Sequence, residues 1–374
     1  MGVLEQTLNT CRHLYNQALS DCKFVYINGG ESVSYYDEAN ALPSRKESNP
    51  YLPHVHSQVL QDVLKRVDKA FRNFFRRVKR KEKAGYPRFK SQNRYDSFTY
   101  PQSGFELGKR LKLSKIGEIK IKKHREIPLN ANIKTCTIKR EADQWYGSFV
   151  VELPDNPGPK KSLKNPVGID LGLGSIATLS TGEKVENPRW LNQSEKKLVK
   201  HSRRLSRKKN RSNNKNKQRM KVAKVHRKIR NQRKDFHHKL NRELVNEYDL
   251  IVFENLSIKN MVKNHHLAKS ILDANWGQLT NFIKYKAEDA GKIVEFVNPN
   301  NTSQECSNCG KMVKKSLGQR MHKCPFCGLI MDRDENAAIN ILHRGLNTVG
   351  ITGRACSSSS ARDVMTQEAP SKIC

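Results

Sequence analysis

Two apolar runs, each carrying an acid, constrain this chain more than anything else in it. Asp249-Leu-Ile-Val-Phe-Glu-Asn-Leu256 is a continuous apolar stretch ending at Glu254. That is the pattern of a central strand covered on both faces. Val167-Gly-Ile-Asp-Leu-Gly172 is a shorter apolar strand holding Asp170, followed by a second apolar run, Ile176-Ala-Thr-Leu179. A carboxylate placed in an apolar strand is costly unless it binds a cation or is paired. The glycines beside Asp170 are read as room for a phosphate backbone to approach. Taken singly, either acid reads equally well as a hydrogen-bonded or solvated group at a strand end.

A third acid has a similar setting. In Asp332-Arg-Asp-Glu-Asn-Ala-Ala-Ile-Asn-Ile-Leu342, Asp334, Ala338, Ile341 and Leu342 share one helical face. The small Ala337 and Ala338 allow that helix to pack closely on a sheet, bringing Asp334 to the cleft of the other two acids. Asp332 suits the N-cap of the same helix. Three carboxylates gathered in one pocket repel and raise one another's pKa unless divalent cations sit among them. Mg²⁺ takes oxygen ligands and bridges substrate phosphates, and a pair of such ions activates a water and stabilises the leaving oxygen.

Between the second and third acids lie Cys306-Ser-Asn-Cys309-Gly310 and, fourteen residues later, Cys324-Pro-Phe-Cys327-Gly328. Paired Cys-x-x-Cys units at such spacing make a tetrahedral four-thiolate zinc site, here one structural ion with no vacant position. A glycine after each pair suits a tight turn that needs positive φ. Cys11 and Cys22 fall on a helical apolar stripe and are expected to be core thiols.

The charge balance names the class of partner. Lys and Arg total 70 against 36 Asp and Glu, a formal net charge of +34. Such an excess points to a polyanion. No stretch approaches a membrane span and no lipidation signal is present, so nucleic acid is expected and membrane is not. Polar residues interrupt every apolar run at the N-terminus, so an amphipathic helix rather than a signal peptide is expected there, and with it a cytoplasmic, nucleoid-associated protein.

Along the chain, Leu4, Leu8, Cys11, Tyr15, Ala18 and Cys22 predict a first helix, and Asn28 to Pro53 a loop. A second helix is predicted from about His56 to Lys83. Val59, Val63, Val67, Ala70, Phe74 and Val78 lie on one side, with Lys65, Arg66, Lys69, Arg72, Arg76, Arg77, Lys79 and Arg80 on the other for phosphate contact. Period-two segments near Ser97–Tyr100, Leu111–Leu113, Glu118–Lys122, Ile133–Arg140 and Trp145–Leu153 predict antiparallel strands, a small sheet or barrel, with a turn at Ala142-Asp-Gln144. Pro154, Pro157, Gly158 and Pro159 mark a boundary. From Lys196 to Lys239 stand twenty Lys and Arg and one acid. Val222, Val225, Ile229, Phe236 and Leu240 keep a helical stripe there, so an ordered basic arm broken near Asn210–Asn216 is expected.

With these residues quoted, the chain resembles the TnpB family, transposon-associated proteins related to type V CRISPR effector nucleases. The matching stretches are Gly85-Tyr-Pro-Arg-Phe-Lys90, Val167–Gly172, Asp235-Phe-His-His-Lys-Leu240, Phe253-Glu-Asn-Leu256, Thr302–Gly310 and Asp332–Ala338. The resemblance implies a multidomain α+β protein. A helical recognition lobe would occupy residues 1–95 and a small wedge-like β-barrel 96–160. An RNase H-like (RuvC) α/β nuclease domain would span 161–299 with its final helix at 332–344, and a zinc ribbon at 300–331 would be inserted in it. A disordered tail is expected over 345–374. It implies a guide RNA, a target DNA, and hydrolytic DNA cleavage with Mg²⁺ held by Asp170, Glu254 and Asp334. Arg320 sits where the family often has an arginine ahead of the second cysteine pair. The family usually begins with a Lys- and Tyr-rich strand, whereas this sequence begins in the first helix, so that strand is expected to be shortened or replaced. Relatives that bind DNA without cutting it lose acids from the triad. The alternatives are such a nuclease-inactive RNA-guided regulator and a non-catalytic zinc-ribbon nucleic-acid-binding protein.

Overall fold

In a computed structural model, which describes residues 2–29, 32–124, 126–128, 130–152, 163–316 and 318–350, the N-terminal apolar stripe forms helix α1 (Val3–Gly29). Leu8, Cys11, Leu14, Tyr15, Ala18, Leu19 and Cys22 are buried on its inner face, so both thiols are core residues as expected. The segment read as a loop holds two short helices, α2 (Tyr35–Asn40) and α3 (Leu42–Ser48), and a 3-10 turn at Leu52–His54. Local chemistry too short for a periodicity to register explains them. Ser34 and Asp37 form a reciprocal capping box, and Pro43 sits in the first turn of α3.

Helix α4 (Ser57–Lys79) is shorter than expected. Lys81 takes a positive φ of 55° just beyond it, which ends the helical path. Its buried residues stop at Val67. Val78, expected on the buried side, is half exposed. Arg66 corrects the reading of a free basic face: its guanidinium donates to Asp62, to the Ser97 carbonyl and to Thr99 Oγ1 at 2.8 Å each.

The strands that follow are β1 (Ser97–Tyr100), β2 (Phe105–Leu107), β3 (Leu111–Leu113), β4 (Gly117–Ile119), β5 (Asn132–Glu141) and β6 (Gln144–Glu152). They pair as two three-stranded antiparallel sheets, β1-β5-β6 and β2-β3-β4. Ala142 and Asp143 turn the β5–β6 hairpin, Ala142 at φ 57°. Phe98, Tyr100, Cys136 and Ile138 join the core of α1 and α4. The proline boundary at 154–159 lies outside the described residues.

Strands β7 (Pro166–Asp170), β8 (Ser175–Leu179) and β9 (Lys184–Glu186) open a third sheet. The basic arm is two helices, α5 (Trp190–Ser206) and α6 (Asn213–Glu247), broken at residues 207–212, slightly earlier than expected. Then come β10 (Leu250–Glu254), α7 (Ile258–Met261), α8 (His265–Ala274), α9 (Trp276–Asp289), β11 (Ile293–Val297), β12 (Met321–Lys323), β13 (Ile330–Asp332) and α10 (Arg333–Thr348). Helix α10 passes the expected end at 344 because Gly345 is still buried against Val252. Most of the expected tail lies outside the described residues.

The sheet order is β11-β10-β7-β8-β9. Strands β7, β10 and β11 run parallel, and β8 is antiparallel to both its neighbours. Every residue of β10 is buried, as its unbroken apolar run required. The chain groups into two units, residues 1–157 with 196–228 and residues 158–195 with 229–374. Within the first, Asp143 at the hairpin turn pairs with Lys224 and Arg227 of α6, each at 2.7 Å. Two cations of the basic arm are therefore spent on the fold. No helix among the described residues is long and apolar enough to cross a membrane.

Candidate acidic metal centre and cysteine cluster

The parallel pairing of β7 with β10 sets Ile169 opposite Phe253. Asp170 and Glu254, the next residues, therefore stand side by side at the C-terminal ends of adjacent central strands. In open α/β sheets, ligands bind outside such ends. The third acid arrives on α10. Gly168 makes this possible: a Cβ there would lie 2.1 Å from the Ala338 carbonyl oxygen and 2.6 Å from the Leu342 nitrogen. The expectation that a phosphate backbone fills the space beside this glycine is thus corrected. Helix α10 fills it, with Ala337 and Ala338 fully buried in the contact. Asp332 caps α10, accepting from the backbone N–H of Asp334 and Glu335 at 2.9 and 3.3 Å. Its other oxygen meets Lys184 at 2.7 Å.

Electrostatics couples the three acids. The Asp170 carboxyl is pushed up to about 8, first by burial and then by the charges of Glu254 and Asp334. Glu254 is also raised, mainly by burial, although Thr302 donates a hydrogen bond to its Oε1 and Arg344 lies near. Asp334 is held by Arg333, whose Nε and Nη2 reach Oδ1 at 3.1 and 3.0 Å, and by Arg320 at 3.5 Å from Oδ2. A divalent cation would relieve both the burial cost and the neighbouring charges that raise Asp170, so the donor set fits a magnesium-like ion. The acids are more loosely gathered than the thiols. Among the described residues, only the four cysteines form a set of three or more potential ligands lying within 4.8 Å of one another.

Those cysteines are Cys306, Cys309, Cys324 and Cys327, with Cys306–Cys327 and Cys309–Cys324 sulfur separations of 3.6 Å. Gly310 and Gly328 donate to the carbonyls of Cys306 and Cys324, at φ 71° and 73°. These are two matching knuckles, and each needs its glycine. Four sulfurs so placed can hold one tetrahedral ion. Strands β12 and β13 carry the second knuckle back to the start of α10.

Sequence reasoning did not single out Thr302, Asn336, Asn340 and Arg344. The buried Asn336 bonds the Glu305 carbonyl and the Ser307 N–H, and the buried Asn340 bonds the Thr302 and Glu305 carbonyls. Arg344 reaches the carbonyls of Asn298 and Asn300 and the Glu305 carboxylate. Together they fasten the cysteine segment to the helix that carries Asp334. Their only signal was the i, i+4, i+8 spacing of Asn336, Asn340 and Arg344 along α10. Arg320 also lines a cavity of about 350 Å³ with Gly174, Asn187, Arg189 and Lys269, beside the loop that follows Asp170.

The chain is similar to several known proteins. A family model described as "Probable transposase" matches residues 148–265, and one described as "Cas12f1-like, TNB domain" matches residues 276–341. A Streptomyces pristinaespiralis protein named "Putative RNA-guided DNA endonuclease" is 36% identical, covering 98% of this chain and 92% of the relative. An Escherichia coli K12 protein named "Putative RNA-guided DNA endonuclease InsQ" is 32% identical over 90% of this chain and 86% of its own length. A mimivirus protein named "TnpB-like protein L79" is 31% identical over 59% of this chain. The fold resembles the protein in a structure named "Cryo-EM structure of the Cas12f1-sgRNA-target DNA complex", with TM-score 0.59, 16% identity, and coverage of 91% of this chain and 82% of that one.

Proposed function

Because this chain belongs to the TnpB family, we propose that it is an RNA-guided DNA endonuclease that hydrolyses phosphodiester bonds with divalent metal held by Asp170, Glu254 and Asp334. The observation that carries this reading is the convergence of the three acids: two at neighbouring strand ends, one on a helix locked onto the same sheet through Gly168. The strand order, with three parallel strands and an antiparallel edge of two, is that expected of an RNase H-like (RuvC) core. The two small antiparallel sheets are assigned to the wedge-like domain, and the cysteine segment to a zinc ribbon inserted before the final helix.

Bound Mg²⁺ would supply a polarised water and charge neutralisation at the scissile phosphate. The residues of the chain do the rest. Thr302 orients Glu254, and the Asp332 cap with Arg333 sets the direction of Asp334. Arg320, exposed and reaching Asp334, offers a guanidinium to the phosphate of the strand being cut. Guide RNA and target DNA are assigned as the polyanions that the +34 net charge serves.

The test is Glu254→Ala in protein purified with RNA from its own locus. Cleavage of matched DNA is expected to vanish while guide and target binding stay near wild type. Cleavage at the wild-type rate would remove Glu254 from the centre. Target binding without cleavage by the unmodified protein would favour a guided regulator instead.

A further inference from the structure

A second cation-lined cavity, of about 340 Å³, lies entirely within residues 1–157, in the unit that does not carry the acids. Helix α4 contributes Arg66, Lys69, Ala70 and Asn73, a single face at i, i+3, i+4 and i+7. Helix α1 contributes Tyr15, and the segment leading into β1 contributes Lys90, Arg94, Tyr95, Asp96 and Ser97. Four cations thus face one carboxylate. That carboxylate, Asp96, has Lys139 at 3.9 Å. Arg66 has its donors occupied by Asp62, Ser97 and Thr99, so it supplies charge and a wall. Lys69, Lys90 and Arg94 have no carboxylate partner among the described residues, and they converge from two separate elements.

The position of Lys90 is built rather than accidental. Asn16 on α1 clamps its backbone from both sides: the Asn16 amide donates to the Lys90 carbonyl at 3.0 Å and accepts from its N–H at 2.8 Å. The ammonium is left over the Tyr15 ring, 5.9 Å from its centroid. Tyr15 and Tyr95 form an aromatic wall with centroids 5.9 Å apart. The Tyr95 hydroxyl is buried without a hydrogen-bond partner among the described residues. Asp62 and Asp96 offset only part of this positive charge, and a bound anion would relieve the repulsion that remains. Lys90 closes the Gly85–Lys90 motif, to which the cleavage reading gives no task.

We propose that this cavity is a subsite for one backbone phosphate of a bound nucleic-acid strand, gripped by Lys69, Lys90 and Arg94 above the buried Tyr15 and Tyr95 rings. The proposal rests on the reading of the chain as a nucleic-acid-binding protein. The test measures binding of a short single-stranded oligonucleotide, in RNA and DNA versions of one sequence, as salt is raised. Wild type is compared with a Lys69→Ala, Lys90→Ala, Arg94→Ala triple variant. A second triple variant alters Lys109, Lys112 and Lys120, exposed cations that do not line the cavity. On a single strand each lost phosphate contact lowers the slope of log affinity against log salt by roughly 0.7, so the cavity variant, which gives up one phosphate, is expected to lose about 0.7. Lys69 and Lys90 should also be shielded from amine acetylation by the oligonucleotide that responds. A response confined to the RNA version assigns the site to the guide, and one confined to the DNA version to the target. An unchanged slope, an equal fall in the second triple variant, or no shielding would each overturn the subsite. A flat salt response in the wild type would instead overturn the nucleic-acid reading beneath it.

Discussion

Replacing Gly168 with alanine should dismantle the acidic centre without removing any of its charges. The added Cβ would stand 2.1 Å from the Ala338 carbonyl oxygen and 2.6 Å from the Leu342 nitrogen, where ordinary contact begins near 3.4 Å. Both obstacles are backbone atoms of α10, so no rotamer change absorbs the clash. Helix and strand must part by roughly 1 Å in an interior that is close-packed. Overpacking of this kind costs about 1–3 kcal/mol, and backbone against backbone belongs at the top of that range. Asp334 lies one helical turn before Ala338 and moves with it, while Asp170 stays on β7. A 1 Å misplacement of reacting groups costs about 10²-fold in rate. Gly345→Ala is the control: its Cβ would meet both Cγ atoms of the buried Val252, at 2.3 and 2.6 Å, so it overpacks the same helix against the sheet but far along α10 from Asp334. The assays are cleavage of matched DNA by the RNA-loaded protein and thermal unfolding. Gly168→Ala should lower cutting about 10²-fold and the melting temperature by about 2–4 °C per kcal/mol lost. Gly345→Ala should lower stability and leave cutting within a few-fold of wild type. Wild-type cutting by Gly168→Ala, or equal loss in both variants, would refute the argument that this close approach sets the acids.

Other expectations follow from the same contacts. Cys324→Ser should abolish binding of one zinc per chain, measured by elemental analysis. It should also depress cleavage, because Asn336 and Asn340 tie the cysteine segment to the helix bearing Asp334; full activity without zinc would contradict that coupling. Asn340→Ala removes the Asn340 donor from the Thr302 carbonyl, while the Glu305 carbonyl keeps Asn336, and should destabilise the protein by about 1–3 kcal/mol in denaturant unfolding. His237 is buried, and burial holds it down to about 4 despite its contact with Gln278. Between pH 6.5 and 4 the unfolded chain therefore binds the proton the folded one refuses, so stability should fall as pH falls through that window, by on the order of 3 kcal/mol in total. His237→Leu should flatten that part of the pH–stability curve, and an unchanged curve would exclude the residue as its source.

Much of the centre was legible in the chain because its signals are local. An unbroken apolar run such as Leu250–Phe253 has no stable place except a covered strand, so Glu254 had to stand at its end. Cys-x-x-Cys-Gly repeated after fourteen residues has essentially one chemistry, and the four sulfurs do meet. Asp332 reads as a cap from its own position and is one. Periodicity was less dependable where packing ran out: the stripe on α4 continued to Val78, but the core did not follow it. What the tertiary structure alone decided concerns partners distant in sequence. Arg66 looked like a phosphate contact until Ser97 and Thr99 proved to occupy it, while Lys69 and Lys90 gained a shared cavity. Gly168 looked like space for a ligand until α10 proved to fill it. The physical reason is the same in each case: a residue's type limits what it can bind, but which group reaches it first depends on how distant segments pack.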